Sequence, residues 1–519
     1  MDVTPSRRQA LATLGVVAGA LVAEQALLSG SGGATPQASA SAAPYPGGYA
    51  PDGTAGRTAA LPLNSVQLLD SPFRANQARN TSYLLFLEPE RMLRSFRLNY
   101  GQRSSAEPLG GWEKPLSQIR GHTTGHLLSG LALTYASTGN TAARDRGRYL
   151  VTQLARLQAR ATGAGFHRGY LSAFPEGYFG VLEQGRSIWS PYYMIHKYLA
   201  GLIDQYQLAG DGQALDVATQ LGDWVDWRTG RLSYDQMQMV LQTEFGGLPE
   251  ALANLYTITG AERYLATAQR FYHAAVLDPL ADGVDALPGL QANVTTPKII
   301  ACVRMCEETG SPGDRDIARN FWDIVTGHHG YVIGGAGNYE HFQPPDVVAA
   351  QLSNFTCENC VSYNLYVNLF IPSQVSAHGL VLRQATGFPD DPVIRLSVLS
   401  GSATITLRVR VPRWIAARPR VVLNGVPLGG TAAAPGWLTI RRRWQAGDRL
   451  AVTLPMRLTA EPTPDHPSVP ALTYGPVVLT GVYAADPGPL TPRLSLTSVR
   501  PPPPSPWPSR RRPAPGRSG

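Results

Sequence analysis

Along the first two-thirds of the chain, apolar residues recur at helical spacing and then stop at a glycine. GHTTGHLLSGLALTYASTGN (121–140), MIHKYLAGLIDQYQLAG (194–210) and GGLPEALANLYTITG (246–260) share this design. Leu, Ala or Tyr stand three and four apart, and each run ends in Gly or Thr-Gly. The stripe predicts amphipathic helices, and the terminal glycine predicts their C-caps. Further helical stretches cover 142–160, 212–226, 261–275, 297–309 and 314–326. Many helices joined by short connections predict paired helices, arranged as an α/α toroid.

From residue 365 the period changes to two. LYVNLFIPS, VIRLSVLS, ATITLRVRVP, PRVVLNGVPL, WLTIRRRW, DRLAVTLPMRLT and ALTYGPVVLTGVY read as strands separated by Gly, Pro or Asp turns. They predict an antiparallel β-sandwich module. Arg441, Arg442 and Arg443 alternate between the two faces of one strand and read as a solvated edge. The expected fold class is therefore mainly α, a toroid followed by a β-sandwich. The expected division is 1–36 export signal, 37–59 flexible linker, 60–365 helical catalytic-type domain, 366–485 β-sandwich and 486–519 Pro/Arg-rich disordered tail.

Composition changes this picture in two places. Hydrophobic residues are 43% and charged residues 16%, enough apolar matter for large cores. The net charge of +8 invites a nucleic-acid reading, but Arg500, Arg510, Arg511, Arg512 and Arg517 supply five of those charges from the tail. The body carries no basic stripe, so no nucleic-acid partner is expected. At the other end, TPSRRQALATLGVVAGALVA resembles a twin-arginine signal, with Ser6, Arg7 and Arg8 in order. It predicts a partnership with the twin-arginine (Tat) export machinery, cleavage within 26–43, and a secreted protein. The run Ala10–Ala23 is too short and too rich in Gly and Ala for a bilayer span, so no stable membrane span is expected after processing. Oligomeric state is not legible.

Four clusters carry candidate chemistry. His122 and His126 share a helix face at i,i+4 and suit metal ligation, substrate hydrogen bonding or a cap. Trp189, Tyr192, Tyr193, His196 and Lys197 mix aromatic surface with polar heads, which suits a sugar ring. Glu244 precedes Gly246-Gly247 at a helix entry, where a carboxylate binds a hydroxyl or caps the helix. Glu340 follows a glycine-rich loop, and Cys357-Glu358-Asn359-Cys360 comes next. A C-x₂-C pair beside a glutamate is part of a Zn²⁺ site, a disulfide, or two free thiols. Cys302 and Cys306 complete the cysteine count of four.

LPLNSVQLLDSPF, IRGHTTGHLLSGLA, GYLSAFPEGYF, WSPYYMIHKYLAGLIDQY, TEFGGLPEALANLY, ARNFWDIVTGHHGYVIGG, NYEHFQPPD and LYVNLFIPS, in this order, resemble the bacterial β-L-arabinofuranosidases of glycoside hydrolase families 127 and 146. The resemblance spans about residues 60–485. It implies an (α/α)₆ barrel with β-sandwich modules and a retaining hydrolase for terminal L-arabinofuranose on plant-type glycans. It implies a zinc-bound cysteine nucleophile, with zinc held by one glutamate and three cysteines. By the same resemblance Glu340 is the general acid/base, and Glu358 and Cys360 are metal ligands, with Cys357 as an adjacent thiol able to replace one. His122 and His196 then contact the sugar, with Glu244 near them.

Two departures follow. CENCVSYN runs directly into LYVNLFIPS, so the family's Cys-Cys stretch, which bears the nucleophile, is missing and the barrel is expected to be incomplete. Gln291 stands where the family has a substrate-contacting histidine. The expectation is a carbohydrate-active protein whose turnover is impaired. The alternatives are a non-catalytic carbohydrate-binding relic, or another polysaccharide-active hydrolase or lyase on the same toroid. A hydrolase of that kind needs a second carboxylate about 5–9.5 Å from the first, with Glu176, Glu183 and Glu244 as candidates.

Overall fold

The computed structural model describes residues 61–361, 370–429 and 436–479, together with the short stretch Val22–Glu24. The rest of the stretch expected as an export signal, the expected linker, the C-terminal tail and most of the strand expected at 365–373 lie outside the described residues.

Among the described residues, thirteen α-helices fill the first part. They are α1 (Pro72–Phe86), α2 (Pro89–Asn99), α3 (His122–Thr138), α4 (Thr141–Gln158), α5 (Gly177–Glu183), α6 (Pro191–Ala209) and α7 (Gly212–Thr229). Then come α8 (Tyr234–Leu241), α9 (Leu248–Thr259), α10 (Glu262–Arg270), α11 (Ala274–Ala281), α12 (Ala292–Thr309) and α13 (Pro312–Ile324). The Thr-Gly and Ala-Gly stops act as expected: Gly139, Gly210, Gly260 and Gly310 take left-handed backbone at the C-caps of α3, α6, α9 and α12. Ser71, Asn140, Asp211 and Ser311 accept backbone N–H bonds at N-caps, and Ser233 with Gln236 forms a capping box.

The helices form two rows. α3, α6, α9 and α12 pack side by side in an inner row, while α4, α7 and α10 back them. Among the described residues the inner row has these four members, fewer than the six of a closed (α/α)₆ ring. The stretch expected as one helix over 261–275 breaks at Phe271, and α11 restarts at Ala274. α12 begins earlier than its periodicity indicated and carries Pro297 inside it.

Small residues set the closest crossing. A Cβ on Gly125 would lie 2.3 Å from the carbonyl oxygen of Lys197, and one on Gly201 would lie 2.5 Å from the carbonyl oxygen of Gly125. α3 and α6 therefore touch backbone to backbone. Gly147 gives room to Gln205, whose amide donates to the Leu128 carbonyl at 2.7 Å. Around this crossing Leu128, Tyr198, Leu199, Leu202 and Trp224 are fully buried in one core.

The strands are β1 (Val22–Glu24), β2 (Val66–Leu68), β3 (Ser373–Ala377), β4 (Leu380–Thr386), β5 (Val393–Val411), β6 (Arg420–Leu423), β7 (Val426–Pro427), β8 (Gly436–Gln445), β9 (Arg449–Thr453), β10 (Leu458–Glu461), β11 (Ala471–Tyr474) and β12 (Val477–Val478). Two expected strands, VIRLSVLS and ATITLRVRVP, are one nineteen-residue strand, β5. β5 pairs with β4 and β9 through its first half and with β8 through its second. All pairings are antiparallel, and β10–β12 form a second, three-stranded sheet. β8 alternates as expected, with Arg441 and Arg443 exposed and Trp444 buried. Ahead of the helices, β2 pairs with β3, matching Val66 to Val375, so the chain start is tied to the β module.

The Gly-Gly crossing makes a direct prediction. Gly125→Ala and Gly201→Ala should each cost about 2–4 kcal/mol in urea denaturation, because a backbone atom, not a flexible side-chain end, blocks the new methyl. Gly212→Ala, with nothing within 4 Å of its Cβ position, should stay within about 0.5 kcal/mol. Equal effects at the three sites would refute the close-crossing account.

Candidate active site

The site is built where the N-terminal ends of α3, α6, α9 and α12 meet. α3 starts at Gly121, which has φ +94° and no room for a side chain against Ala173 and Tyr198. Its free N–H groups are met by the Glu113 carboxylate, which accepts from Gly121 N and Thr123 N. His122 Nδ1 lies 3.0 Å from the same carboxylate and 3.1 Å from the Ile119 carbonyl oxygen. Both neighbours only accept, so Nδ1 carries a proton, and in that neutral tautomer Nε2 would be the acceptor. Burial opposes the charge on Glu113, yet hydrogen bonds from His122, Thr123 and Gly121 outweigh it and hold the group below the ordinary carboxylate range. A carboxylate at the positive end of a helix dipole is also favoured.

α6 brings Tyr193, His196 and Lys197. His196 is buried, and its Nδ1 accepts from the Gly247 backbone N–H at 3.1 Å. Its proton therefore sits on Nε2, the tautomer opposite to that of His122. Burial, with Lys197 and His126 nearby, keeps the ring neutral. The Gly246-Gly247 turn exists to let this happen: a Cβ on Gly246, at φ +58°, would lie 2.6 Å from His196 Nδ1. Lys197 Nζ stands 4.8 Å from the Tyr193 ring centre. Burial weakens its charge, while Glu244, Glu250 and Cys360 act in the other direction. His126 faces the same cleft; the surrounding protein, Lys197 and His122 push it down to about 3.

Glu244 accepts from Ser190 Oγ at 3.4 Å. Burial raises its pKa and Glu340 adds to this, against the pull of Lys197, Ser190 and Lys298. Glu340 itself is exposed, on a loop with two successive non-glycine residues at positive φ, Tyr339 and Glu340. Such strain is retained where surrounding bonds over-determine it. Here Ala292 N donates to the Glu340 carbonyl at 2.8 Å, and Asn338 and His341 exchange backbone bonds. Gln291 Nε2 donates to the Glu340 carboxylate at 2.6 Å. The loop is thus stitched to the N-terminus of α12.

The thiols divide. Cys360 is exposed, shares a hydrogen bond with Glu358, and is pushed up to about 11 by burial, Glu358 and Glu340. It acts electrostatically on Tyr193 and Lys197, so it belongs to this centre. Cys357 has φ +59°, donates its N–H to the Gly337 carbonyl, and neighbours Gly335 and Tyr331. Cys302 is buried on α12 with its thiol on Asp314. All four cysteines are free.

Zinc needs three or four protein donors. Among the described residues no group of three or more His, Cys, Asp or Glu side chains is arranged to hold a metal ion. Glu358 and Cys360 share a hydrogen bond beside this centre.

The structure thus brings Glu340, Gln291, Glu244, His122, His196, Glu358 and Cys360 into one region. Glu176 and Glu183 are committed elsewhere: Glu176 accepts from Trp224 Nε1 and His167 N, and Glu183 is held by Arg228 at 2.7 and 2.9 Å. Of the three carboxylates considered beside Glu340, Glu244 alone lies in the centre. Sequence reading missed Glu113 and Ser190 as organisers, and placed Lys197 in its aromatic cluster without linking it to Glu244. The chain has three lysines against many arginines, and two of them, Lys197 and Lys298, act on Glu244. That scarcity was a usable signal.

Glu113 supplies a pH prediction. Its folded-state pKa lies below the unfolded value, so its stabilisation is present above the unfolded carboxylate range and is lost as pH falls through the folded value. Glu113→Gln should flatten the acid limb of stability between about pH 5 and 3 and cost about 1 kcal/mol at neutral pH. Urea midpoints across pH check this, and an unchanged acid limb would remove Glu113 from its capping role.

Residues 65–369 match the family model described as β-L-arabinofuranosidase, GH127 catalytic domain, and residues 364–456 match the GH127 middle domain. Among solved structures, a GH127 β-L-arabinofuranosidase from Geobacillus stearothermophilus T6 is 18% identical, with TM-score 0.58, covering 80% of this chain and 86% of its own. A second GH127 β-arabinofuranosidase is 18% identical, with TM-score 0.59, covering 80% and 84%. A structure described as a glycoside hydrolase is 12% identical, with TM-score 0.55, covering 80% and 82%. No curated protein matches the sequence. These likenesses establish the shared fold, and the catalytic-domain match, spanning more than half of the chain, establishes that this protein belongs to the GH127 β-L-arabinofuranosidase family.

Proposed function

We propose that this protein is an exported hydrolase of terminal L-arabinofuranosyl groups on plant-type glycans, with Glu340 as its general acid/base. The observation that carries the proposal is the convergence of Glu340 with Glu244, His122, His196 and Lys197 at one end of the inner helices. The twin-arginine-like start of the chain supports export.

Each residue has a task that its surroundings fit. His122 offers an acceptor nitrogen and His196 a donor N–H, so the pair can read two sugar hydroxyls of opposite polarity. Tyr193 and the exposed Trp189 give apolar surface for the sugar face. Glu340 protonates the glycosidic oxygen as the bond breaks and then takes a proton from the incoming water. Gln291 fixes one of its oxygens, leaving the other for the substrate. Glu244 and Lys197 hold opposite charges beside it.

Retention also requires a nucleophile at the anomeric carbon. The Cys-Cys stretch that supplies it in the family has no counterpart here, and one thiol, that of Cys360, belongs to the centre. Turnover is therefore placed well below that of a complete family site.

Hydrolysis of p-nitrophenyl β-L-arabinofuranoside tests the proposal. Slow release should fall a further 10²–10⁴-fold, roughly, in Glu340→Gln, while His196→Ala should chiefly raise KM. Binding without any Glu340-dependent release would replace the proposal with a non-catalytic sugar-binding role. Elemental analysis of the purified protein should find less than one zinc per chain. A full, tightly held zinc would show that the donor set is larger than Glu358 and Cys360.

A further inference from the structure

A second chemical site lies along α12, beyond Phe245. A cavity of about 540 Å³ opens between α9, α10, α11, α12 and α13. Phe245, Phe271, Leu277, Met305 and Ile317 make most of its wall apolar. Three groups that can bear charge reach its lining: Lys298, Cys302 and Asp314. Two of them satisfy each other, because the Cys302 thiol donates to the Asp314 carboxylate.

Lys298 is different. It is 5% exposed and forms no ion pair among the described residues. Its Nζ lies 2.9 Å from His273 Nδ1 and 4.9 Å from the Phe245 ring centre. His273 is itself buried and is held neutral, its pKa brought down to about 4 by burial and by Lys298. Glu244 acts on Lys298 without contacting it. A buried ammonium beside a neutral imidazole and an aromatic face keeps most of its desolvation penalty. Stability alone would favour an apolar side chain at this position. A large, mostly apolar cavity with one unneutralised charged head is the construction of a small-molecule pocket.

We propose that this cavity binds a small monocarboxylate with an apolar body, whose carboxylate pairs with Lys298 and whose body lies against Phe245, Phe271 and Met305. The cavity lies beside the sugar centre, whose Glu244 acts on Lys298 electrostatically, and its occupancy does not require glycosidase activity. Phe245 directly follows Glu244, so an occupant would press on the residue next to a carboxylate of the cleft.

Calorimetric titration with 4-phenylbutyrate, compared with 4-phenylbutanol, tests this on the full chain. The two share a body and differ in the head. The carboxylate should bind about tenfold or more tightly than the alcohol. Lys298→Met should bring the carboxylate down to the level of the alcohol, and Lys298→Arg should keep the preference. Ala301→Phe, which fills the cavity from α12, should abolish both. Equal binding of the two probes to the natural protein, or no binding of either at millimolar concentration, would overturn the proposal. That comparison needs no variant to fold.

Discussion

The approach of α3 to α6 at Gly125 and Gly201 is the contact on which the rest depends. Two backbones meet where any side chain would hold them apart. His122, one turn before Gly125, therefore lies 6.4 Å, ring to ring, from Tyr193 on the facing helix. With ordinary side chains at the crossing, the interaxial distance would open toward the usual 8–10 Å or more, and His122 would move away from Tyr193. The same closeness puts Lys197 where its ammonium can feel Glu244, Glu250 and Cys360 together. Packing and electrostatics at this point are one constraint seen at two scales.

From that crossing outward, backbone groups fix the side chains that matter. The Glu113 carboxylate closes the start of α3 and sets the His122 tautomer. The Gly247 N–H sets the tautomer of His196. Ala292 N–H and the Gln291 amide anchor Glu340. Each of these partners is a main-chain group or a short-range neighbour held by a helix end. A site made this way is rigid on its helical side. Its loop side, 337–342, is held by a ladder of backbone bonds strong enough to keep Tyr339 and Glu340 at positive φ.

Much of this was legible beforehand. Helix stops at Gly139, Gly210 and Gly260 are local chemistry and are read from the terminal glycines. The grouping of Glu340, Glu358, His122, His196 and Glu244 came from motif resemblance, and the fold brings them together. What stayed hidden depends on distant partners. Glu113 ends a three-residue 3₁₀ turn, Gly111–Glu113, too short to carry a periodicity. β2 is three residues long and becomes a strand only by pairing with β3, more than three hundred residues away. β5 reads as two strands because Ser400-Gly401-Ser402 looks like a turn, yet pairing with β4 and β8 carries the strand through it. Glu176 and Glu183 look like catalytic carboxylates in sequence, and only the fold shows Arg228 occupying them.

The sulfur side of the site follows from counting along α12. Cys302 and Cys306 lie 11 and 15 residues beyond Gln291, which is about 16 and 22 Å at the helical rise. Glu340 is fastened to the other end of that helix. Neither thiol can join Cys360 without unwinding α12, and Cys302 is already engaged with Asp314. Cys357 is turned toward Gly335 and Tyr331 on a backbone that its own N–H bond to Gly337 fixes. Cys360 is therefore the one thiol of the four that lies with Glu340 and Glu358. Burial, Glu358 and Glu340 push that thiol up to about 11, above the ordinary thiol range. Lys197 is the positive charge that acts on this sulfur, and burial weakens it.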